Sequence, residues 1–160
     1  MTLTAARTGK VIGAKWAEIV LSTKFWTVPA EGMKAAKEHR VPLCDRTLAI
    51  LNGIKSNHNP DNFVFPGWKA GTGLSNGTML ALMKKMKLGH YTPQRCRSTF
   101  RNWAEDEAHT FQNETIELAL THMIKNQAEA AYRWGDQLER RRELMTAWID
   151  YTELNFQPKE

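Results

Sequence analysis

Apolar positions along this chain recur mostly at helical spacing, with one stretch that alternates instead. Ile12, Trp16 and Ile19 fall at i, i+4 and i+7, which predicts one face of a helix. A second stripe, Thr47, Ile50, Leu51 and Ile54, follows Asp45, a residue suited to capping a helix start. Met79, Leu82, Met83 and Met86 form a third, read as core rather than as a binding groove. Cys96, Phe100 and Trp103 make a fourth, with Arg97 and Arg101 one turn apart beside it. Asn113 is placed to cap a helix whose stripe is Ile116, Ala119, Leu120 and Met123, with His122 roughly 100° round on its flank. Ala128, Ala131 and Tyr132 predict a short helix face, and Leu138, Met145, Trp148 and Ile149 a final helix.

The alternating stretch reads as a β-hairpin. Residues 24–28 (Lys-Phe-Trp-Thr-Val) and 39–43 (His-Arg-Val-Pro-Leu) are β-prone, and Val41 and Leu43 share a face. Pro29 and Pro42 mark strand ends or edges. Residues 30–38 form a projecting connection that carries Lys34 and Lys37. No repeat or linker divides the chain. The expected fold is mainly α with a small antiparallel β-sheet (α+β), one domain over residues 1–160.

Charge sharpens this picture. Residues 1–102 hold 16 lysines and arginines against 5 acids, whereas residues 103–160 hold 6 against 12. A basic body with an acidic helical tail points to a polyanion partner for the first part. Six tryptophans argue against disorder. Cys44 and Cys96 match no metal or redox spacing and are expected to be small buried thiols in a reducing compartment. No apolar run approaches the roughly 18 residues of a membrane span, and the first residues are no signal peptide. A soluble, cytoplasmic protein is expected.

Several motifs carry no chemistry. Gly67, Gly71, Gly73 and Gly77 lack the GxxxxGK[ST] frame of a phosphate cradle and read as a loop. His58 and His109 have no ligand-spaced partners, so both read as surface residues and no metal is expected. Arg140, Arg141 and Arg142, between Glu139 and Glu143, read as a salt-laced helix surface. Arg97 is open to two roles on spacing alone: an ion-pair anchor, or a bidentate grip on phosphate. Tyr132 is by default a packing tyrosine.

Read together, the segments resemble the tyrosine recombinases, in particular phage and island integrases. Residues 3–9 (Leu-Thr-Ala-Ala-Arg-Thr-Gly), followed by Trp16-Ala17-Glu18-Ile19, resemble their first-arginine motif around Arg7. Residues 26–34 and 38–43 resemble the hairpin that presents a catalytic lysine, here Lys34. Residues 97–104 (Arg-Ser-Thr-Phe-Arg-Asn-Trp-Ala) resemble the second-arginine motif. Leu120-Thr121-His122-Met123-Ile124, with Glu129-Ala130-Ala131-Tyr132-Arg133, resembles the histidine-to-tyrosine segment. The likeness runs from about residue 3 to 151. It implies a catalytic domain acting on double-stranded DNA without cofactor. Tyr132 would attack the scissile phosphate, Arg7 and Arg97 neutralise it, Lys34 protonate the leaving oxygen and His122 donate a hydrogen bond. Gln94 and Arg101 would contact the substrate. The resemblance also implies exchange of a C-terminal segment between subunits on DNA, with residues 138–156 as the candidate.

The chain departs from that pattern in three ways. The acid expected three residues after the first arginine is Lys10, which sets like charge beside Arg7. The histidine expected three residues before Arg97 is Gln94, which accepts and donates hydrogen bonds but exchanges no proton near neutral pH. Family members carry a DNA-binding module ahead of this domain, and only six residues precede Arg7. Two expectations follow: a domain that cleaves and rejoins DNA, or a catalytically impaired integrase remnant that binds it weakly. A helical regulator of another class would need a recognition helix, and no helix-turn-helix signature stands out.

Overall fold

The computed structural model describes residues 2–32, 38–54, 59–122 and 137–155. Its elements are α1 (Thr8–Ile12), β1 (Ile19–Val20), β2 (Phe25–Val28), β3 (His39–Pro42), α2 (Asp45–Gly53), α3 (Asn76–Lys85), α4 (Pro93–Asp106), α5 (Asn113–Ala119) and α6 (Leu138–Asn155), with short 3-10 turns between. The fold is mainly helical with one antiparallel sheet in the order β1-β2-β3, the class expected from the sequence. Val28 pairs with His39 and Trp26 with Val41, so the two β-prone segments form the expected hairpin. The third strand is new: Ile19 pairs with Trp26.

That strand overturns the helix expected through Ile12, Trp16 and Ile19. Helix α1 stops at Ile12, because the backbone beyond it is claimed by a distant segment. Val64 N–H donates to the Ala14 carbonyl at 2.8 Å, Trp16 N–H to Asn62 at 3.0 Å and Ala17 N–H to Pro60 at 2.9 Å. Glu18 then accepts from the Trp26 indole at 2.8 Å, which pins the 3-10 turn to the sheet. Continuing the helix would pair these groups within α1 and leave the Pro60 and Asn62 carbonyls and the Val64 N–H without these partners.

Two helix starts also differ from expectation. Cys44, not Asp45, caps α2, its sulfur accepting from Thr47 N–H at 3.3 Å. Asp45 instead pairs with Lys24 at 2.7 Å, which holds its carboxyl below the ordinary value. Gln112, not Asn113, sits at the cap of α5. Within α2 only Leu51 is buried, and Ile50 and Ile54 face outward.

Two clusters make the core. Trp26, Val28, Val41 and Leu43 on one side of the sheet pack with Ala6, Ala14, Leu51 and Val64. Helices α4, α5 and α6 enclose the second, around Phe100, Trp103, Leu120, Leu144 and Trp148. Phe100 meets Trp148 edge-on at 5.5 Å between ring centres, a favoured aromatic geometry. The Trp148 indole donates to the Thr2 carbonyl at 2.9 Å and ties the N-terminal segment to α6.

Three further expectations are corrected. Helix α3 has no buried residue; Leu82 and Met86 are 51% and 59% exposed, so its stripe is not core. Arg141 is buried rather than on a salt-laced surface, and its Nη1 donates to the Arg40 carbonyl at 2.8 Å. Long guanidinium side chains can dock a helix onto a strand end in this way while their stems pack. Cys44 and Cys96 are free thiols, each only half-buried. Among the described residues, no helix is long and apolar enough to cross a membrane.

Candidate active site

Arg97 is the joint of the site. It lies one turn into α4, on the inner face with Phe100 and Ala104, and is 6% exposed. Its Nη1 donates to the Ala5 carbonyl at 2.8 Å and its Nη2 to the Leu120 carbonyl. These acceptors stand two residues before Arg7 and two residues before His122. One buried guanidinium therefore fastens together chain segments far apart in sequence. Burial and the charge of Arg7 push the Arg97 guanidinium down to about 10, while Glu117 acts in the opposite direction. The group stays cationic at neutral pH.

Arg7 occupies the cap position of α1, where its carbonyl accepts from Lys10 N–H at 2.9 Å. It is half-buried and lines a small hollow with Lys10, His39, Val41, Ala119 and Thr121. The start of α1, the edge of β3 and the end of α5 meet there. Lys10 faces the same hollow, so the departure noted in the sequence lies at the site and not remote from it.

His122 is not on a helix flank. Helix α5 ends at Ala119, and Thr121 adopts a left-handed conformation with φ of 53°. Thr121 N–H returns to Leu118 at 3.1 Å and His122 N–H to Glu117 at 3.0 Å, which is the double bond pattern of a Schellman helix end. That turn carries His122 back over the last helical turn. Its Nδ1 lies 2.7 Å from Glu117 Oε2, and the imidazole remains 40% exposed.

The expected substrate contacts, Gln94 and Arg101, stand at i and i+7 along one side of α4. Gln94 is exposed on the first turn of α4. Arg101 is held by two carboxylates: its Nε bonds Glu105 at 2.8 Å and its Nη1 bonds Glu117. Glu105 first, with Glu117 adding to it, raises the Arg101 guanidinium above its ordinary value. Lys34 and Tyr132 lie outside the described residues. Glu117 itself was missed from the sequence, where it reads as one more helix acid. Its only signal was a position five residues before His122, and that matters only if the helix ends between them. Among the described residues, no group of three His, Cys, Asp or Glu side chains could hold a metal.

No family model and no solved structure matches the chain. Curated proteins do. It is 34% identical over 149 residues to the prophage integrase IntA of Escherichia coli (strain K12), covering 92% of this chain and 36% of that protein. It is 29% identical to the integrase of Enterobacteria phage P4, covering 96% of this chain and 38% of the relative. The integrase of Shigella phage Sf6 is 26% identical, with 92% of this chain and 39% of the relative covered. The chain thus spans a little over a third of the length of these relatives. Related to them along almost its whole length, the chain is an integrase domain.

Proposed function

We propose that this chain carries the strand-cleaving site of a site-specific recombinase acting on double-stranded DNA. Tyr132 gives up its phenolic proton to water and attacks the scissile phosphate, forming a 3′-phosphotyrosine bond as the bond to the 5′ oxygen breaks. Lys34 supplies the proton that the 5′ oxygen needs to leave as a hydroxyl. Arg7 and Arg97 balance the charge that builds on the non-bridging oxygens, and His122 donates a further hydrogen bond. The covalent link stores the bond energy for rejoining, so the cycle calls for neither nucleotide nor metal. Gln94 and the remaining donors of Arg101 contact the substrate, and the basic first part of the chain holds the duplex. A DNA-acting protein with free thiols belongs in the cytoplasm. Exchange of the C-terminal segment between copies on DNA is part of the same reading.

The observation that carries this proposal is the double anchorage of Arg97. By bonding the carbonyls of Ala5 and Leu120, it brings the Arg7 and His122 segments to one place. Arg7 follows two residues after the Ala5 anchor, and its like charge works against Arg97. An anion between Arg7 and Arg97 would offset the repulsion.

One observation favours the impaired reading. Lys10 lines the hollow beside Arg7, where a carboxylate would orient that arginine. A nicked suicide DNA substrate separates the two readings. An active site yields a covalent protein–DNA band that Tyr132→Phe abolishes. An impaired one yields the band only after Lys10→Glu and Gln94→His. No band from either protein removes cleavage from the proposal.

A further inference from the structure

We infer that Glu117 is the positioning carboxylate of this site, fixing the His122 ring and the Arg101 guanidinium in place of the acid that α1 lacks. The inference rests on the cleavage reading above and adds to it a residue with a separate task.

Both oxygens of Glu117 are committed. Oε1 accepts from Arg101 Nη1, and Oε2 lies 2.7 Å from His122 Nδ1. The side chain is only 19% exposed, so these bonds are shielded from competing water. Its own backbone carbonyl accepts from His122 N–H at 3.0 Å. One residue thus holds His122 at the main chain and at the ring. A carboxylate can only accept, so Nδ1 must carry a proton, and the hydrogen bond that His122 donates to the phosphate comes from Nε2 of the imidazolium. A free imidazole would divide its time between tautomers and rotamers.

The charges around the site give the second reason. Arg7 and Lys10 line the hollow where α1 meets the end of α5, Arg97 is bonded to the Ala5 and Leu120 carbonyls, and Arg101 lies one turn along α4 from Arg97. Where Lys10 stands, a carboxylate would have balanced part of this. Glu105 reaches Arg101 from the outer side, whereas Glu117 touches Arg101 and His122 together and acts on Arg97. The left-handed turn at Thr121 makes this geometry, because it folds His122 back onto the residue five before it. A helix continuing through residue 122 would have turned the ring away.

A simple brace between α4 and α5 would use the Arg101 contact alone, and two measurements on the whole chain tell the roles apart. The first follows the ring nitrogens of His122 by NMR at a pH where the imidazole is neutral. The wild type should show the Nδ1-protonated tautomer, and Glu117→Ala should show a tautomer mixture. The second is the rate of covalent complex formation on the nicked substrate. At saturating DNA, Glu117→Ala and Glu117→Gln should slow it roughly 10- to 100-fold, the scale of a misplaced reacting group. The DNA concentration at half saturation should stay as in the wild type, and Glu117→Asp should recover part of the rate. An unchanged His122 tautomer in Glu117→Ala overturns the inference. So does a loss of DNA affinity that accounts for the whole drop in rate. If neither the wild type nor the Lys10→Glu, Gln94→His protein forms a covalent complex, the cleavage reading fails, and the ring nitrogens still decide whether Glu117 orients His122.

Discussion

Helices α3 and α4 carry apolar stripes of similar regularity, yet α4 is sunk in the core and α3 lies on the surface. Phe100, Trp103 and Ala104 of α4 are buried, whereas Leu80, Leu82 and Met86 at α3 are exposed. The difference lies in the neighbours. Helix α4 faces α5, α6 and the N-terminal segment, whose side chains close around it. Helix α3 packs chiefly against α1, a helix of five residues that can cover no more than its Met79 and Met83 edge. Periodicity reports which face of a helix would be covered, and only the tertiary arrangement supplies the cover.

The contrast predicts where substitutions hurt. Trp148→Ala removes a 1% exposed side chain from the cluster around α4 and should cost about 3–5 kcal/mol in urea unfolding. A loss under about 1 kcal/mol would mean that cluster is loosely packed. Arg97→Met keeps the bulk on α4 but leaves the Ala5 and Leu120 carbonyls without their donor. That should cost about 1–3 kcal/mol and loosen residues 5–7 and 120–122 in amide exchange, while α3 is unaffected. Thr121→Gly should act in the opposite direction. It relieves a β-branched residue held at φ of 53°, for a gain of about 0.5–1 kcal/mol measured by urea unfolding. On the exposed helix, Leu82→Ser should change stability by no more than about 0.5 kcal/mol in the same assay. A larger loss would show that α3 is covered in solution.

The smallest expected effect concerns pH at the start of α2. The Lys24 ammonium holds the Asp45 carboxyl below its ordinary value through a hydrogen bond and its charge. The folded value is depressed, so the contribution is complete above the unfolded value and fades as pH falls through the folded one. An NMR titration should place the Asp45 midpoint below the usual carboxylate value, about 3.9, and Lys24→Met should return it there.

Local physics made much of this protein legible. The hairpin, the α4 and α6 stripes and the mainly helical class follow from side-chain period and β-propensity, which act between near neighbours. The motif order around Arg7, Arg97 and His122 was legible as well, since each motif is a short contiguous string. The chain alone did not show where α1 would stop, because hydrogen bonds from residues 60–64 decide it. Nor did it show Arg141 buried against Arg40, or Glu117 gripping His122 across a left-handed turn. Each of those outcomes depends on a partner distant in sequence or on the residue at which a helix ends. Sequence pattern determined which elements exist and which side chains bear chemistry. Tertiary structure decided what each charge touches, because a buried charge must find its partner wherever the fold brings one within reach.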